Sequence, residues 1–453
     1  MSLALPALLF VAATLGMALL VEPFLAWYYQ WAWWSYILAA DGLNRRLGGR
    51  SLLRDEPRRF LWLAGISVAL WTFFEALNLR LGNWYYVMDH PLRPVRWAGG
   101  VVAFATVLPA LYETEALLRH LGVLHRVPVA LLRWSRPKAL GSLTLGVACF
   151  ALPLVWPNRF FPLTWASFVF LLEPWNRRHA PDSRLRELEQ GEAAPTLRWL
   201  LAGLACGALW EACNYWARVK WVYTVPGFES LKVFEMPLAG FLGFPPFALE
   251  CAAIVGFLEG IGERVRGLPR RRLVSASAAA LTGAATLAIY AAADGVTVDS
   301  YYVPVARLGV LPAPDREALA RAGLETPERL LRELGHDTGL EEWSARTGLG
   351  VEALRRHRER VALVLHRGLG DERAQELARL GIETREDLAG WRPGELAAAL
   401  REGGAHGPRR FLERRVRAWL SHATPRGMAG DRARSGTVRC VMPLACASQA
   451  SST

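Results

Sequence analysis

The chain has 453 residues, 52% of them hydrophobic and 19 of them Trp, with a formal net charge of +12. That is too apolar for an average soluble protein and too charged for one wholly embedded in lipid, so a division into two parts is expected. Sixteen Trp fall at or before Trp221, the long uncharged runs end near residue 293, and Arg, Glu, Leu and Ala dominate beyond.

Apolar runs occur near 3–21, 25–43, 60–82, 98–118, 139–156, 160–175, 197–217, 234–261 and 273–293, each long enough or nearly long enough to cross a bilayer. The first follows no basic n-region and reads as a retained helix, not a cleaved signal. The second and sixth are short and aromatic and also fit an interfacial position. Loops near 44–59, 119–138, 177–198 and 262–272 hold most of the Arg and Lys, for example Arg45, Arg46, Arg58 and Arg59 in the first and Arg270, Arg271 and Arg272 in the last. This positive-inside bias accounts for much of the net charge and gives a cytoplasmic N-terminus. Nine spans put the C-terminal half outside; one span fewer reverses that. Cys149, Cys206, Cys213, Cys251, Cys440 and Cys446 show no C-x-x-C spacing, so neither a disulfide framework nor a zinc site is expected.

Laying 1–118 on 137–255 brings out an internal repeat. Leu20-Val21-Glu22-Pro23 answers Leu154-Val155-Trp156-Pro157, and Asp41-x-x-Asn44-Arg45-Arg46 answers Glu173-x-x-Asn176-Arg177-Arg178. Glu75-x-x-Asn78 answers Glu211-x-x-Asn214, Trp84-Tyr85-Tyr86 answers Trp221-Val222-Tyr223, and Pro109-x-x-x-Glu113 answers Pro246-x-x-x-Glu250. Four helices per unit is an even number, so the copies share one orientation, related by an axis along the membrane normal.

Residues three apart share a helix face, which makes Glu75 with Asn78, and Glu211 with Asn214, single polar patches near helix ends. Glu113 and Glu250 lie one turn after a proline, where a freed carbonyl adds a polar group. The repeat predicts that all four carboxylates and both carboxamides meet at the interface of the copies. A charge at mid-bilayer costs roughly 2.5–3.5 kcal/mol on insertion scales, so such residues face a bundle interior or a water cavity and suit proton-carrier or acid-catalyst chemistry. The blander alternatives are hydration of Glu75 and Glu211 near the headgroups and helix capping by their Asn partners. Trp84, Trp97, Trp216 and Trp221 fit an interfacial aromatic belt better than a ligand cage, and the Asn-Arg-Arg pairs fit cytoplasmic anchors. No His lies well inside an apolar run and no glycine-rich phosphate loop is present, so no cofactor and no metal are expected.

The order Trp-x-Tyr, spacer, Pro, Glu resembles the integral-membrane lycopene cyclases, over about sixty residues per repeat. Those enzymes carry a Pro-x-Glu-Glu motif where this chain has Pro109-x-x-x-Glu113 and Pro246-x-x-x-Glu250. The resemblance implies a carboxylic acid that protonates a polyene while Trp faces stabilise the cation.

Residues 305–334 and 364–400 both read as helix, Gly-(Leu/Ile)-Glu-Thr turn, helix, with the turns at Gly323–Thr326 and Gly381–Thr384. The Gly ends one helix and the Thr caps the next. A helical stretch containing Thr347-Gly348-Leu349 lies between them, and a closing helix, Phe411 to His422, contains Trp419. Gly368-Leu369-Gly370, Ala374, Leu377, Gly381-Ile382-Glu383-Thr384 and Leu388 resemble a bacterial domain family of unknown function built on tandem helix-hairpin-helix units, over about 305–423. The resemblance implies DNA-phosphate contact through Gly368 and Gly370, with Arg367 and Arg373 nearby. In the first copy Leu311-Pro312-Ala313-Pro314 occupies the corresponding turn and lacks the N–H groups. A protein partner or a spacer role is favoured over nucleic acid.

The expected fold is therefore all-α: a membrane domain over 1–295, with repeat A at 1–120, repeat B at 137–262 and an extra helix at 273–293. A helical domain follows over 305–423, then a disordered tail over 424–453. Three functions fit. The first is a bacterial inner-membrane protein that binds or moves a small solute, lipid or proton at Glu75, Asn78, Glu113, Glu211, Asn214 and Glu250. The second is a cofactor-free cyclase acting on an isoprenoid, and the third is a non-catalytic anchor whose hairpins recruit a protein.

Overall fold

The computed structural model describes residues 3–226, 231–404, 411–421 and 423; the expected disordered tail and His422 lie outside them. The N-terminal part contains helices α1 (Ala4–Ala18), α2 (Tyr28–Arg46), α3 (Pro57–Leu81), α4 (Arg93–Phe104), α5 (Val107–His120), α6 (Arg136–Val155), α7 (Pro157–Phe160), α8 (Ser167–His179), α9 (Arg184–Glu189), α10 (Ala194–Trp216), α11 (Phe244–Arg266) and α12 (Arg271–Val296). Every expected apolar run is helical. Five segments are long and apolar enough to cross a membrane: α3, α4 with α5, α6, the stretch Leu238–Arg266 containing α11, and α12.

Four of the nine expected spans fall short of that standard, for two reasons. Helices α1 and α8 have only 15 and 13 residues. Helices α2 and α10 are long enough but not apolar enough. They lie inside the bundle, where Trp33, Ile37, Cys206 and Trp210 join Phe74 of α3, Leu111 of α5 and Phe247 of α11 in one core. A helix packed on several sides meets protein instead of lipid and can carry polar groups that bond internally. Conversely, only 6% of the apolar window of α12 is buried and 17% of that of α6.

Local chemistry sets the helix ends. Pro57 opens α3, and Gly82 closes it in the left-handed region (φ 62°), its N–H donating to the Asn78 carbonyl. The chain then forms β1 (Trp84–Val87), which pairs antiparallel with β2 (Lys220–Tyr223) beyond α10. The register is Trp84 to Tyr223, Tyr85 to Val222, Tyr86 to Trp221 and Val87 to Lys220. Residues beyond α12 run parallel to the other edge of β1: the Tyr86 N–H donates to the Thr297 carbonyl, and the Asp299 N–H to that of Tyr86. A second, two-residue pairing joins β3 (Lys232–Val233) to β4 (Met236–Pro237).

The C-terminal part is helical: α13 (Ala313–Arg321), α14 (Pro327–Glu333), α15 (Leu340–Thr347), α16 (Val351–Leu365), α17 (Gly370–Arg379), α18 (Arg385–Ala389), α19 (Pro393–Glu402) and α20 (Leu412–Leu420). Gly323 and Gly381 adopt φ of 92° and 76°, and Thr326 and Thr384 cap α14 and α18 by accepting from the Arg329 and Asp387 N–H groups. Both expected turns are thus formed. Leu369, Leu377, Leu388, Leu396 and Trp419 share one core, with His366 buried beside it, bonded through Nε2 to the Trp419 carbonyl at 2.8 Å.

Burial pushes His366 down to about 4, with the Arg367 and Arg385 charges acting the same way and the Trp419 carbonyl opposing. A folded-state value below the ordinary His value favours the neutral ring, so its contribution is complete above about pH 6.5 and is lost as pH falls towards 4. The expected cost at pH 4 is up to roughly 3 kcal/mol. Hydrogen exchange of residues 411–421, corrected for intrinsic rates, should rise over that window in the wild type and change much less in His366→Gln.

Candidate functional site

Alternation along the ribbon gives it two faces. Trp84, Tyr86, Trp221 and Tyr223 line a cavity of about 490 Å³ bounded by residues of α2, α3, α4, α10, α11 and α12. Aromatic rings make up much of its wall. Phe247 stands edge-on to Trp71 and Trp165, at ring-centroid distances of 6.1 and 5.7 Å, and Trp84 stacks on Trp165. On the other side Tyr29 meets Trp221 edge-on at 5.2 Å.

Four carboxyls line this cavity, Glu75, Asp89, Glu211 and Asp294, and the two glutamates are those the sequence marks. Glu75 is buried, and its Oε1 accepts from Trp84 Nε1 at 2.9 Å and from the Tyr86 hydroxyl at 2.7 Å. Glu211 is buried likewise; its Oε1 accepts from the Tyr223 hydroxyl at 2.9 Å, and that hydroxyl accepts from Trp221 Nε1 at 2.8 Å. The second oxygen of each glutamate is buried with no hydrogen-bond partner. Asn78 and Asn214 do not line the cavity but hold the ribbon's approach. Asn78 Nδ2 donates to the Trp84 carbonyl and Asn214 Nδ2 to the Trp221 carbonyl, both at 2.9 Å, and each Oδ1 accepts a backbone N–H, from Asn83 and Trp221. The capping alternative therefore describes the carboxamides, and the carboxylates are not hydrated at the surface.

Glu113 and Glu250 do not join them. Glu113 is held by Asn44 Nδ2 at 2.6 Å, and Glu250 by the Ser167 hydroxyl at 3.0 Å and the Phe168 N–H at 2.9 Å. The expected four-carboxylate cluster is thus two at the cavity and two elsewhere. The prolines differ from expectation as well. Pro109 and Pro246 each sit third in their helices, α5 and α11, where a missing N–H frees no carbonyl within the helix. Asn44 and Asn176 are buried and donate to the carbonyls of Glu113 and Ala253, so they tie helices together instead of anchoring a surface.

Several contributors went unread in the sequence. Ser51 and Ser183 bond Asp41 and Glu173, which also accept the Leu53 and Leu185 N–H groups, clamping the loops after α2 and α8. The matching ten-residue spacing was the available signal. Trp71, Trp165 and Phe247 carry no polar mark and could not be told from core. Trp84, Trp97 and Trp221, assigned to a belt, line the cavity, whereas Trp216 is exposed. At the rim, Arg96 grips Asp294 with two bonds of 2.9 and 2.8 Å. Asp89, in the loop after β1, is pushed up to about 6 by burial, against the His90 N–H and Arg96.

The other face of the ribbon receives the C-terminal domain. Tyr85, Val87, Met88 and Val222 pack with Ala418, and Tyr302 and Leu365 close around them. Gly368 lies so close to Val87 that a Cβ there would sit 2.2 Å from the Val87 Cβ; at Gly370 the neighbour is Ser300 at 2.4 Å. Arg367 pairs with Glu235, which also accepts from Lys220, and Arg373 and Arg415 converge on Asp299. The residues expected to face DNA or a partner, Gly368, Gly370, Arg367 and Arg373, face the chain's own N-terminal half. Among the described residues no group of three or more His, Cys, Asp or Glu is placed to hold a metal ion.

Residues 312–425 match the model of a family described as a domain of unknown function (DUF4332). No curated protein and no solved structure matches the chain. The family match spans the two capped hairpins and the docking turn and leaves the cavity outside it.

Gly368→Ala combines a left-handed φ of 68° with the clash on Val87. It should weaken docking by about 1–3 kcal/mol. Hydrogen exchange should then rise in 84–87 and 296–302 while α6 and α12 keep wild-type protection; unchanged ribbon protection would refute the docking role of the turn.

Proposed function

We propose that residues 1–295 form a polytopic membrane domain of two tandem four-helix units plus one helix, and that its aromatic cavity binds a small, largely apolar ligand beneath Glu75 and Glu211. The observation that carries the reading is the pair of carboxyls, each with one oxygen fixed by a tyrosine and one buried oxygen unpartnered, in a cavity of about 490 Å³. That volume suits a small organic molecule.

The duplication draws support from the ribbon, whose register pairs Trp84 with Tyr223 and Tyr86 with Trp221, a swap that a two-fold relation through Tyr85 and Val222 produces. The Asn78 and Asn214 bonds, and the Asp41 and Glu173 clamps, repeat in kind. Membrane residence draws support from the five apolar helices and from the exposed leucines of α1, α6 and α12, among them Leu8, Leu140 and Leu281. The N-inside orientation fits the mutual contact of two basic loops, where the Ala193 N–H donates to the Val127 carbonyl and the Val129 N–H to that of Gly191. The C-terminal hairpins read as tandem helix-hairpin-helix units turned to docking.

A catalytic version rests on the same unpartnered oxygens. A carboxylic acid facing an alkene or polyene among Trp faces could protonate it, as the likeness to lycopene cyclases implies. Product analysis separates the two versions: a binding protein releases its ligand unchanged.

Mild-detergent purification of the full chain should co-isolate an apolar organic molecule, and Glu75→Gln together with Glu211→Gln should lower its stoichiometry at least about tenfold. Equal retention by the double variant and the wild type ends the reading. A reporter fused at the C-terminus should signal outside the cytoplasm; a cytoplasmic signal removes one span from the count.

A further inference from the structure

The charges around the cavity bear on what its ligand carries besides apolar surface. Its cationic lining residues each have a carboxylate partner: Arg96 has Asp294, Arg218 has Glu22, and Lys220 shares Glu235 with Arg367. No described cation stands beside Glu75, and Lys232 is the one whose charge reaches Glu211. Among the described residues neither glutamate lies within ion-pair distance of a Lys, Arg or His, and the side chains that donate to them are Trp84, Tyr86 and Tyr223. Asp89 adds a third acidic group at the rim. Aromatic faces supply much of the remaining wall, and each carries negative potential at its face. Trp71, Trp84 and Trp165 crowd the Glu75 side, while Trp221 and Tyr29 meet on the other side. Trp210 Nε1, the Tyr290 hydroxyl and Arg218 Nε and Nη1 are buried donors without a hydrogen-bond partner, but the carboxyls that no ion pair neutralises, together with the ring faces, favour positive charge.

We propose that the cavity is a site for an organic cation: a ligand whose positive charge is set in apolar substituents, held between ring faces and neutralised by the Glu75 and Glu211 carboxylates. The inference rests on the reading of this cavity as a ligand site and names the ligand class. An anion would meet two unpaired carboxyls and ring faces of the wrong sign. A strongly hydrated inorganic cation would find too few oxygens to replace its water. An organic cation loses little hydration on entry and gains from both terms, the carboxylates supplying charge and the rings supplying contact. The neighbouring Tyr86 and Tyr223 hydroxyls keep the two Oε1 atoms occupied, and each Oε2 is left without a partner.

The test uses three probes of similar shape against the full chain in nanodiscs, with empty discs as the partition control: tetraphenylphosphonium, tetraphenylborate and the neutral triphenylmethane. Equilibrium dialysis should give tetraphenylphosphonium at least about tenfold tighter binding than either other probe. In Glu75→Gln and in Glu211→Gln that preference should fall about tenfold, with an unchanged circular dichroism spectrum and thermal midpoint reporting an intact fold; Glu211→Asp should retain most of the preference. Equal binding of the cation and the neutral probe to the wild type, or tighter binding of the borate, overturns the inference and leaves the apolar ligand site standing. Binding of none of the three overturns both.

Discussion

Four backbone pairs between β1 and β2 hold two opposite faces of the molecule in register. Because side chains alternate across a strand, a single ribbon presents Trp84, Tyr86, Trp221 and Tyr223 to the cavity and Tyr85, Val87 and Val222 to the C-terminal domain. A slip of one residue would exchange the faces. It would move the tyrosine hydroxyls away from Glu75 and Glu211 and bury Val87 where a hydrogen-bond donor is needed. The ribbon is short, and a two-stranded hairpin of this size has little stability in isolation. Its neighbours supply the rest: Asn78 and Asn214 fix the turns that lead into it, residues 297–302 extend its free edge, and the docked domain covers its outer face.

That arrangement joins a deeply buried pair of acids to a domain on the far side of the ribbon. The Tyr86 backbone is bonded to Thr297 and Asp299, and the Asp299 side chain holds Arg415 of α20. Two bonded steps thus separate α20 from the strand that carries the Tyr86 hydroxyl to Glu75. The connection is short because Tyr85 and Tyr86 are adjacent residues with opposite faces.

Much of the helical layout was legible because apolar runs of bilayer length leave few alternatives. Five of the nine expected spans meet a length and hydropathy standard, and α10 shows why others do not. Its Arg198, Glu211 and Asn214 lower its hydropathy, yet each is buried and bonded inside the protein. Hydropathy measures the fitness of a helix for lipid, whereas α10 is fitted to other helices. The paired Glu-x-x-Asn marks were legible for a related reason: repetition singled out residues whose bonds are long-range and leave no local pattern. Repetition marked Glu113 and Glu250 equally, and here it misled about place. Residues at matching positions need not share a site: Glu113 is held by Asn44 and Glu250 by Ser167 and Phe168, and nothing obliges either to share a cavity with Glu75 and Glu211.

The Gly368-Leu369-Gly370 turn carries the same lesson for motifs. Missing Cβ atoms permit close approach, and the sequence records that permission without naming what approaches. In a turn free in solution the N–H groups and Arg367 would suit a phosphate. Here Val87 and Ser300 fill the space that the two glycines leave open, and Arg367 and Arg373 spend their charge on Glu235, Glu376 and Asp299. An arginine already neutralised by a buried carboxylate has little left for a polyanion, and exposing it would break an ion pair at a cost of several kcal/mol. For this turn, then, a nucleic acid competes with a partner that is covalently attached and always present.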